Sequence, residues 1–469
     1  MTAAAATRTN RAAVHGDGAG RVPAWGRDAA GLLAWASMLV VLALWVHGGG
    51  LTDLLAGRSP ALTTTGRLTG LVAADLMLVQ VALMARVPFV ERAYGQDELA
   101  RRHRLVGFTS FWLLLAHIAL IVLGYAAAAR SGAWATAWDM VRTFPGMLLA
   151  TAGTGLTLLV VVTSIRAARR RTRYESWHLI HLYGYLGAVL VVPHMLWTGA
   201  EFTTSAPARA YWWSAWGLVL TAVLVFRVGV PLYRSARHRL VVERVVPEGP
   251  GVFSIHLRGH DLADLRALAG SYFVWRFGGP GRTRGHPLSL SAVPTADRMR
   301  VTAKVVGDGT AAMARLTPGT PVTFEGPYGR LTAAVRTRPG VVLMGSGIGI
   351  TPMRALLEGL DYAPGNATVI YRASSEEDLV LREELCAVAG RRGADVVELP
   401  GRRVPGRASW LPEHAAAWDD AEALASIVPD VAERDVYICG PDPWMDHARD
   451  AARRAGVPES QIHLERFSM

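Results

Sequence analysis

The sequence predicts a multi-domain membrane protein: a six-helix transmembrane bundle, then an antiparallel β-barrel domain and an α/β open-sheet domain. Three observations carry that prediction. Six apolar runs of spanning length fill the first half, with arginines sorted onto alternate connections between them. From about Arg239 the pattern changes to short period-two segments separated by turns. Further on, an apolar strand runs into a glycine-rich turn and a helix.

Composition fits this division. The 469 residues are 51% hydrophobic and still 19% charged, as expected of a chain half in lipid and half in water. The net charge of +11 does not point to nucleic acid, because the arginines cluster beside apolar runs instead of along one soluble face. Lys304 is the single lysine. Cys386 and Cys439 fall in a half that reads as cytoplasmic, so no disulfide is expected.

Residues 1–28, rich in Ala, Gly, Thr and Arg without apolar periodicity, read as a disordered cytoplasmic tail. The apolar run Ala29–Val46 is longer than a signal-peptide core, and no small-residue cleavage site follows it. The spans are expected at about 29–47, 67–88, 104–126, 144–165, 177–198 and 211–233, within a domain covering 29–235. Arg86, Arg92, Arg101, Arg102 and Arg104 occupy one connection, and Arg166, Arg169, Arg170, Arg171 and Arg173 another. Arg234, Arg237 and Arg239 follow the last span. The other loops hold only Arg58 and Arg67, Arg130, and Arg209. The positive-inside rule then puts both termini in the cytoplasm of a multi-pass protein of the cell membrane.

Four histidines lie in these runs. His103 and His117 are fourteen residues apart on the third, and His181 and His194 thirteen apart on the fifth. A fourteen-residue helical step rises about 21 Å and returns within roughly 40° of its starting face. Both runs point outward, so His103 pairs with His181 near the inner face and His117 with His194 near the outer face. Neutral imidazole is a common ligand of haem iron, and the two helices would hold two haems, one near each membrane face. The alternative for buried histidines is a bond to backbone or a water-lined cavity. A thirteen-residue step lands about 140° off, so a kink or π-bulge is expected near Pro193, Gly184 or Gly187. His178 reads as an interfacial, solvated histidine. Asp75 and Gln80 in the second run suggest an interhelical hydrogen bond, or else a proton path or quinone pocket. Arg142, at the outer start of the fourth run, could meet an anionic oxygen species or a haem propionate.

In the soluble half, Leu240–Val246 and Val252–Arg258 flank Pro-Glu-Gly-Pro-Gly as a hairpin. Ser271–Phe277 is a further strand, followed by His286-Pro287-Leu288-Ser289 and the strand Arg300–Val306. These form a small barrel over 239–332. Gly307-Asp308-Gly309-Thr310 opens a helix, a setting that suits a pyrophosphate, with Lys304 near enough to add charge. The second soluble domain, 337–469, begins with the strand Pro339–Met344. This strand runs into Gly345-Ser346-Gly347-Ile348-Gly349-Ile350-Thr351-Pro352, a nucleotide phosphate site without the G-x-G-x-x-G spacing. Thr368–Tyr371 ends at Arg372, and Asp435–Ile438 ends in Cys439-Gly440-Pro441. Ligands bind at the carboxyl ends of such strands.

The order of these motifs resembles the ferredoxin–NADP reductase superfamily, a flavin barrel followed by a nicotinamide domain. With six spans and paired histidines in front, about residues 29–469 resemble the bacterial branch of the transmembrane ferric reductase and NADPH oxidase family. The resemblance implies that His286, Pro287, Leu288 and Ser289 line the flavin, with Ser289 near its reactive N5. Gly307, Gly309 and Thr310 would hold the FAD pyrophosphate. Gly345, Gly347, Gly349, Thr351 and Pro352 would bind the nicotinamide nucleotide, flanked by Cys439, Gly440 and Pro441. Phe467 would stack on the flavin. Two departures stand out: His-Pro-Leu-Ser replaces the Arg-x-Tyr-Ser/Thr of soluble members, and two residues follow Phe467 where many oxidases end on the aromatic. Arg372 either pairs with a 2′-phosphate, selecting NADPH over NADH, or is a surface arginine.

The expected activity is electron transfer from cytoplasmic NAD(P)H through FAD and two b-type haems to an acceptor on the outer face, either oxygen or a ferric chelate. The loops at 48–66, 127–143 and 199–210 hold no cysteine or histidine to build a metal pocket. The alternatives are a reductase feeding a separate protein partner, a haem-binding sensor or scaffold, and a membrane-anchored flavin reductase without a haem relay. No EF-hand pattern is present.

Overall fold

A computed structural model describes residues 25–165, 174–279, 281 and 284–466, in two compact units that divide between Val228 and Gly229. Phe467, most of the expected tail and the arginines at 166–173 lie outside the described residues, as does the His178 side chain. The first unit is helical. Among the described residues, six helices are long and apolar enough to cross a membrane: Gly26–His47, Arg58–Leu83, Gln96–Ala129, Met147–Ser164, Leu179–Thr198 and Ala206–His238. Their surfaces fit lipid rather than water. Among the described residues, all but three of the exposed large apolar side chains lie between Leu32 and Tyr233, the exceptions being Val305, Val306 and Trp418. The protein is a multi-pass membrane protein.

Several boundaries differ from expectation. Trp25–Asp28, expected in the tail, form the first turn of the first span. The second span starts nine residues earlier than expected and ends at Leu83 rather than 88. Hydropathy continues through Ala85 and Val87, but Arg86 takes φ 64°, and Pro88 opens a separate short helix at the position where its missing N–H costs nothing. Arg142 belongs to a separate helix, Ala133–Thr143, and not to the fourth span. The fifth span runs as α-helix through Gly184, Gly187 and Pro193, without the π-bulge that was one of the two distortions expected there; a π-helical turn occurs in the sixth span, over Leu224–Gly229.

Glycines let the spans pack closely. A Cβ on Gly124 would lie 2.4 Å from Thr63 Oγ1, and one on Gly107 2.4 Å from Gln80 Oε1, so the second and third spans meet nearly backbone to backbone. Gly153 and Gly187 do the same for the fourth and fifth, where a Cβ on Gly153 would meet the Gly187 carbonyl at 2.7 Å.

The second unit begins with antiparallel strands in two three-stranded sheets. β1 (Val241–Gly249), β2 (Val252–Arg258) and β5 (Arg298–Lys304) form one, in the order β1-β2-β5. β3 (Tyr272–Phe277), β4 (His286–Ser289) and β6 (Val322–Tyr328) form the other, in the order β4-β3-β6. Where a single barrel was expected, the two sheets touch through isolated bridges, Val241 to Pro321 and Leu290 to Val301. Phe253, Ile255, Leu257, Phe273, Trp275 and Phe324 fill the space between them.

The remaining strands form a five-stranded, all-parallel sheet: β7 (Val341–Ser346), β8 (Ala367–Ala373), β9 (Asp395–Pro400), β10 (Asp435–Cys439) and β11 (Ile462–Leu464). Its order is β11-β10-β7-β8-β9, so the chain reverses direction across the sheet between β7 and β10. That reversal creates a crevice at the carboxyl ends of these two strands. Both faces of the sheet are covered, and its strands are accordingly apolar on both sides.

Candidate functional site

In the membrane unit the four histidines come together as expected by pairs. The His103 and His181 rings lie 5.9 Å apart, centroid to centroid. His117 and His194 are close enough to interact electrostatically. The hydrogen bonds then fix each ring. His103 Nδ1 donates to the Gln80 carbonyl at 3.0 Å, and His117 Nδ1 to the Gly66 carbonyl at 2.7 Å. The Thr198 hydroxyl gives its proton to the His194 carbonyl, so it must accept from His194 Nδ1, at 2.8 Å. The Ser164 hydroxyl donates to the Val160 carbonyl and faces His181 Nδ1 at 3.4 Å. In His103, His117 and His194 the network assigns the proton to Nδ1 and the lone pair to Nε2.

That donor set fits an iron held between two imidazoles. Metal–nitrogen bonds of about 2.0 Å on either side of a metal put two ring centroids about 6 Å apart, close to the His103–His181 separation. A second partner fixing the tautomer is the usual companion of a metal-binding histidine. Among the described residues no cluster of three or more His, Cys, Asp or Glu could hold a metal, so a site here rests on the pairs. Asp75 stands apart: it accepts from the hydroxyls of Ser37 and Tyr211, tying the first, second and sixth spans together, as the interhelical reading expects.

In the soluble unit, two motifs about ninety residues apart meet at the sheet's crevice. The glycine turn after β7 packs directly on the turn after β10: a Cβ on Gly349 would lie 2.2 Å from the Cys439 carbonyl oxygen. One on Gly440 would lie 2.8 Å from Ser346 Cβ. Gly347 takes φ 56°, which glycine adopts without strain. The turn leads into the helix Ile350–Gly359, which buries Thr351 and Pro352 at its start. Cys439 is buried, and burial, with the nearby Glu465 charge second, pushes its thiol well above the usual range. It is therefore a neutral thiol at pH 7 and not a nucleophile.

The antiparallel sheets hold the other motif. His286-Pro287-Leu288-Ser289 is itself strand β4, and Ser289 pairs with Tyr272 on β3. The Ser289 hydroxyl is buried and has no hydrogen-bond partner among the described residues, which marks a place where a bound group is expected to supply one. A Cβ on Gly309 would approach the His286 ring at 3.0 Å, so the Gly-Asp-Gly-Thr turn lies beside β4. The Thr310 hydroxyl is occupied within that turn, accepting from the Val306 and Gly307 amides at 2.9 and 3.2 Å. Lys304 reaches Asp378 at 3.9 Å. Arg372 is buried at the end of β8 and donates to the carbonyls of Ala373 and Leu399. Burial, then the charge of Arg403, lowers its pKa.

Glu465 was not expected. It is buried, accepts from the Arg330 amide at 3.2 Å, and would meet a Cβ on Gly329 at 2.7 Å. A lone acid in a charged tail gives no sequence signal of this placement; its nearness to Phe467 is the one hint available.

Residues 69–192 match the family described as ferric reductase like transmembrane component. The ferredoxin–NAD(+) reductase component of an alkene monooxygenase system from Xanthobacter autotrophicus is 30% identical over 43% of this chain and 62% of its own length. The chain joins a ferric reductase-like transmembrane domain to a ferredoxin–NADP reductase-like module. The chain is also 30% identical to a Xylella fastidiosa flavohemoprotein, over 55% of itself and 66% of the relative. Ferredoxin–NADP reductase B of Sorangium cellulosum is 29% identical over 40% and 80%. The chain spans between about half and two thirds of the first curated relatives it matches.

Proposed function

We propose that this chain is a transmembrane oxidoreductase that takes electrons from cytoplasmic NAD(P)H and delivers them to an acceptor on the outer face, using FAD and two b-type haems. The pairing of four histidines on two spans, three of them with fixed tautomers, carries the reading. His103 with His181, and His117 with His194, would hold the two irons through Nε2. Bound FAD accepts an electron pair and releases it singly, and haem iron takes one electron at a time. The Ser289 hydroxyl would bond the flavin ring, while Gly307, Gly309 and Thr310 would hold its pyrophosphate with His286 alongside. The turn Gly345–Pro352 would receive the nicotinamide nucleotide, with Cys439, Gly440 and Pro441 closing its far side. The neutral Cys439 thiol would pack against the ring without attacking it. Phe467 would stack on the flavin. Arg372 and Arg403 together favour a 2′-phosphate, hence NADPH over NADH. With His103 and His181, and His117 and His194, holding the irons between them, the acceptor, oxygen or a ferric chelate, would take its electron without binding to iron. The arginine distribution supports a cell-membrane protein with both termini in the cytoplasm.

The test uses detergent-solubilised full-length protein mixed anaerobically with NADPH. A reduced b-type haem spectrum that needs FAD, and falls to the contribution of a single haem in His117→Ala and in His194→Ala, supports the relay. Flavin bleaching without any haem signal would leave a membrane-anchored flavin reductase.

A further inference from the structure

A chain of charged side chains links β5 to the two helices behind the nicotinamide turn. Arg300, on β5, grips the segment just after β4: Nε donates to Ser291 Oγ at 3.1 Å and Nη2 to the Ser291 carbonyl at 2.7 Å. Its remaining nitrogen, Nη1, donates to Glu384 Oε2 at 2.8 Å. Glu384 lies on the helix Arg382–Arg392, and its other oxygen meets Arg354 Nη2 at 2.6 Å. Arg354 is two residues beyond Pro352 on Ile350–Gly359 and also binds Glu358 at 2.5 Å. Glu358 in turn accepts from the Val293 amide at 3.4 Å, two residues past Ser291. Exposed ion pairs contribute little, but here the Arg354 and Arg300 side chains are only 6% and 11% exposed. Burial would raise the Glu384 pKa, yet Arg300 and Arg354 outweigh it and hold the group below its ordinary range. Glu384 is thus a carboxylate with one arginine on each oxygen, each arginine fixed at its other end to a different half of the site.

We propose that Glu384 is a positioning residue for hydride transfer, setting the spacing between the strand that carries Ser289 and the helix that follows the nicotinamide turn. The inference rests on reading these halves as flavin and nicotinamide sites. In the step served, a C–H bond breaks at the dihydronicotinamide ring and an N–H bond forms at flavin N5, both electrons moving with the hydrogen. Such a transfer needs its reacting atoms held about 3–3.5 Å apart, and a misplacement of about 1 Å costs up to about a hundredfold in rate. The planar arginine forks resist that drift: each Arg300 nitrogen points at a fixed acceptor, and both terminal nitrogens of Arg354 hold carboxylates. The close contact of Gly359 with Ala269, where a Cβ would approach to 2.6 Å, gives the helix a fulcrum on the same side.

The experiment compares full-length wild type, Glu384→Gln and Glu384→Asp, each loaded with FAD and mixed anaerobically with NADPH in a stopped-flow instrument. Glu384→Gln is expected to slow flavin reduction about tenfold or more while the apparent Kd for NADPH changes little. It should also weaken the long-wavelength charge-transfer absorbance between reduced flavin and oxidised nicotinamide, which reports ring stacking. Glu384→Asp keeps the charge and recovers part of the rate. A Glu384→Gln protein with wild-type rate and a full charge-transfer band overturns the proposal. So does a rate loss that only tracks lost flavin or lost folded protein, with the band per bound flavin intact. A wild type whose flavin is not bleached by NADPH or NADH refutes instead the function on which the inference rests.

Discussion

Gly70→Ala should empty one haem site and leave the other. A Cβ built on Gly70 lies 2.5 Å from His117 Nδ1, 2.8 Å from Cε1 and 2.9 Å from Cγ, against 3.4 Å for ordinary contact. The ring must therefore retreat by about 0.9 Å, enough to break its 2.7 Å bond to the Gly66 carbonyl. Losing that buried bond costs about 1–3 kcal/mol, and the displaced Nε2 can no longer sit at bonding distance from an iron shared with His194. Glycine to alanine inside a helix otherwise stabilises by about 0.5–1 kcal/mol, so any loss must come from the clash. Gly155, on the fourth span with nothing within 4 Å of its Cβ, supplies the control. Haem per protein by the pyridine haemochrome method, with a spectroelectrochemical titration, should show two haems in wild type and in Gly155→Ala. In Gly70→Ala it should show one, with an unchanged potential for the remaining haem. Two haems at unchanged potentials in Gly70→Ala would refute the assignment of His117.

Ser289→Ala removes a hydroxyl with no hydrogen-bond partner among the described residues, so the melting temperature should hold while anaerobic flavin reduction slows about tenfold or more. Asp435 supplies a pH test. Burial acts to raise its pKa, but bonds from His463 and from the Thr337 and Arg338 amides outweigh this and lower it from 3.8. A depressed folded value means stability that is complete above the unfolded pKa and lost as pH falls through it. Denaturant midpoints measured from pH 7 to pH 3 should decline below about pH 4, and less steeply in Asp435→Asn. Arg403→Ala should lower kcat/KM for NADPH about tenfold and leave that for NADH nearly unchanged, which steady-state assays with both nucleotides will show.

Much of this architecture could be read from residue order because the signals are chemical and repeated. Imidazoles inside apolar runs stand out, and so does a glycine turn between a strand and a proline-started helix. Other features leave weaker marks. β4 was missed as a strand since it is four residues long and contains Pro287, and β6 because Gly326-Pro327 reads as a turn. β9 and β11 lack the long apolar run that marked β7. The second span was misplaced because hydropathy cannot register the backbone break at Arg86. Glu465 and Glu384 were missed for a common reason: each acts through partners distant in sequence, and an isolated acid on a polar stretch looks like a solvated surface.

The four histidines also differ in how easily mutation can reach what orients them. His103 and His117 lean on main-chain carbonyls of the second span, which every amino acid possesses, so no substitution at position 66 or 80 deletes the acceptor. His181 and His194 lean on the hydroxyls of Ser164 and Thr198, which a single codon change removes. The acceptors of one pair survive any side-chain replacement at their own positions, while those of the other do not. On the proposed haem reading, descendants of this chain could retune the basicity of a ligand by exchanging a hydroxyl on the fourth or fifth span, whereas the third span's acceptors change only when a neighbour such as residue 70 intrudes.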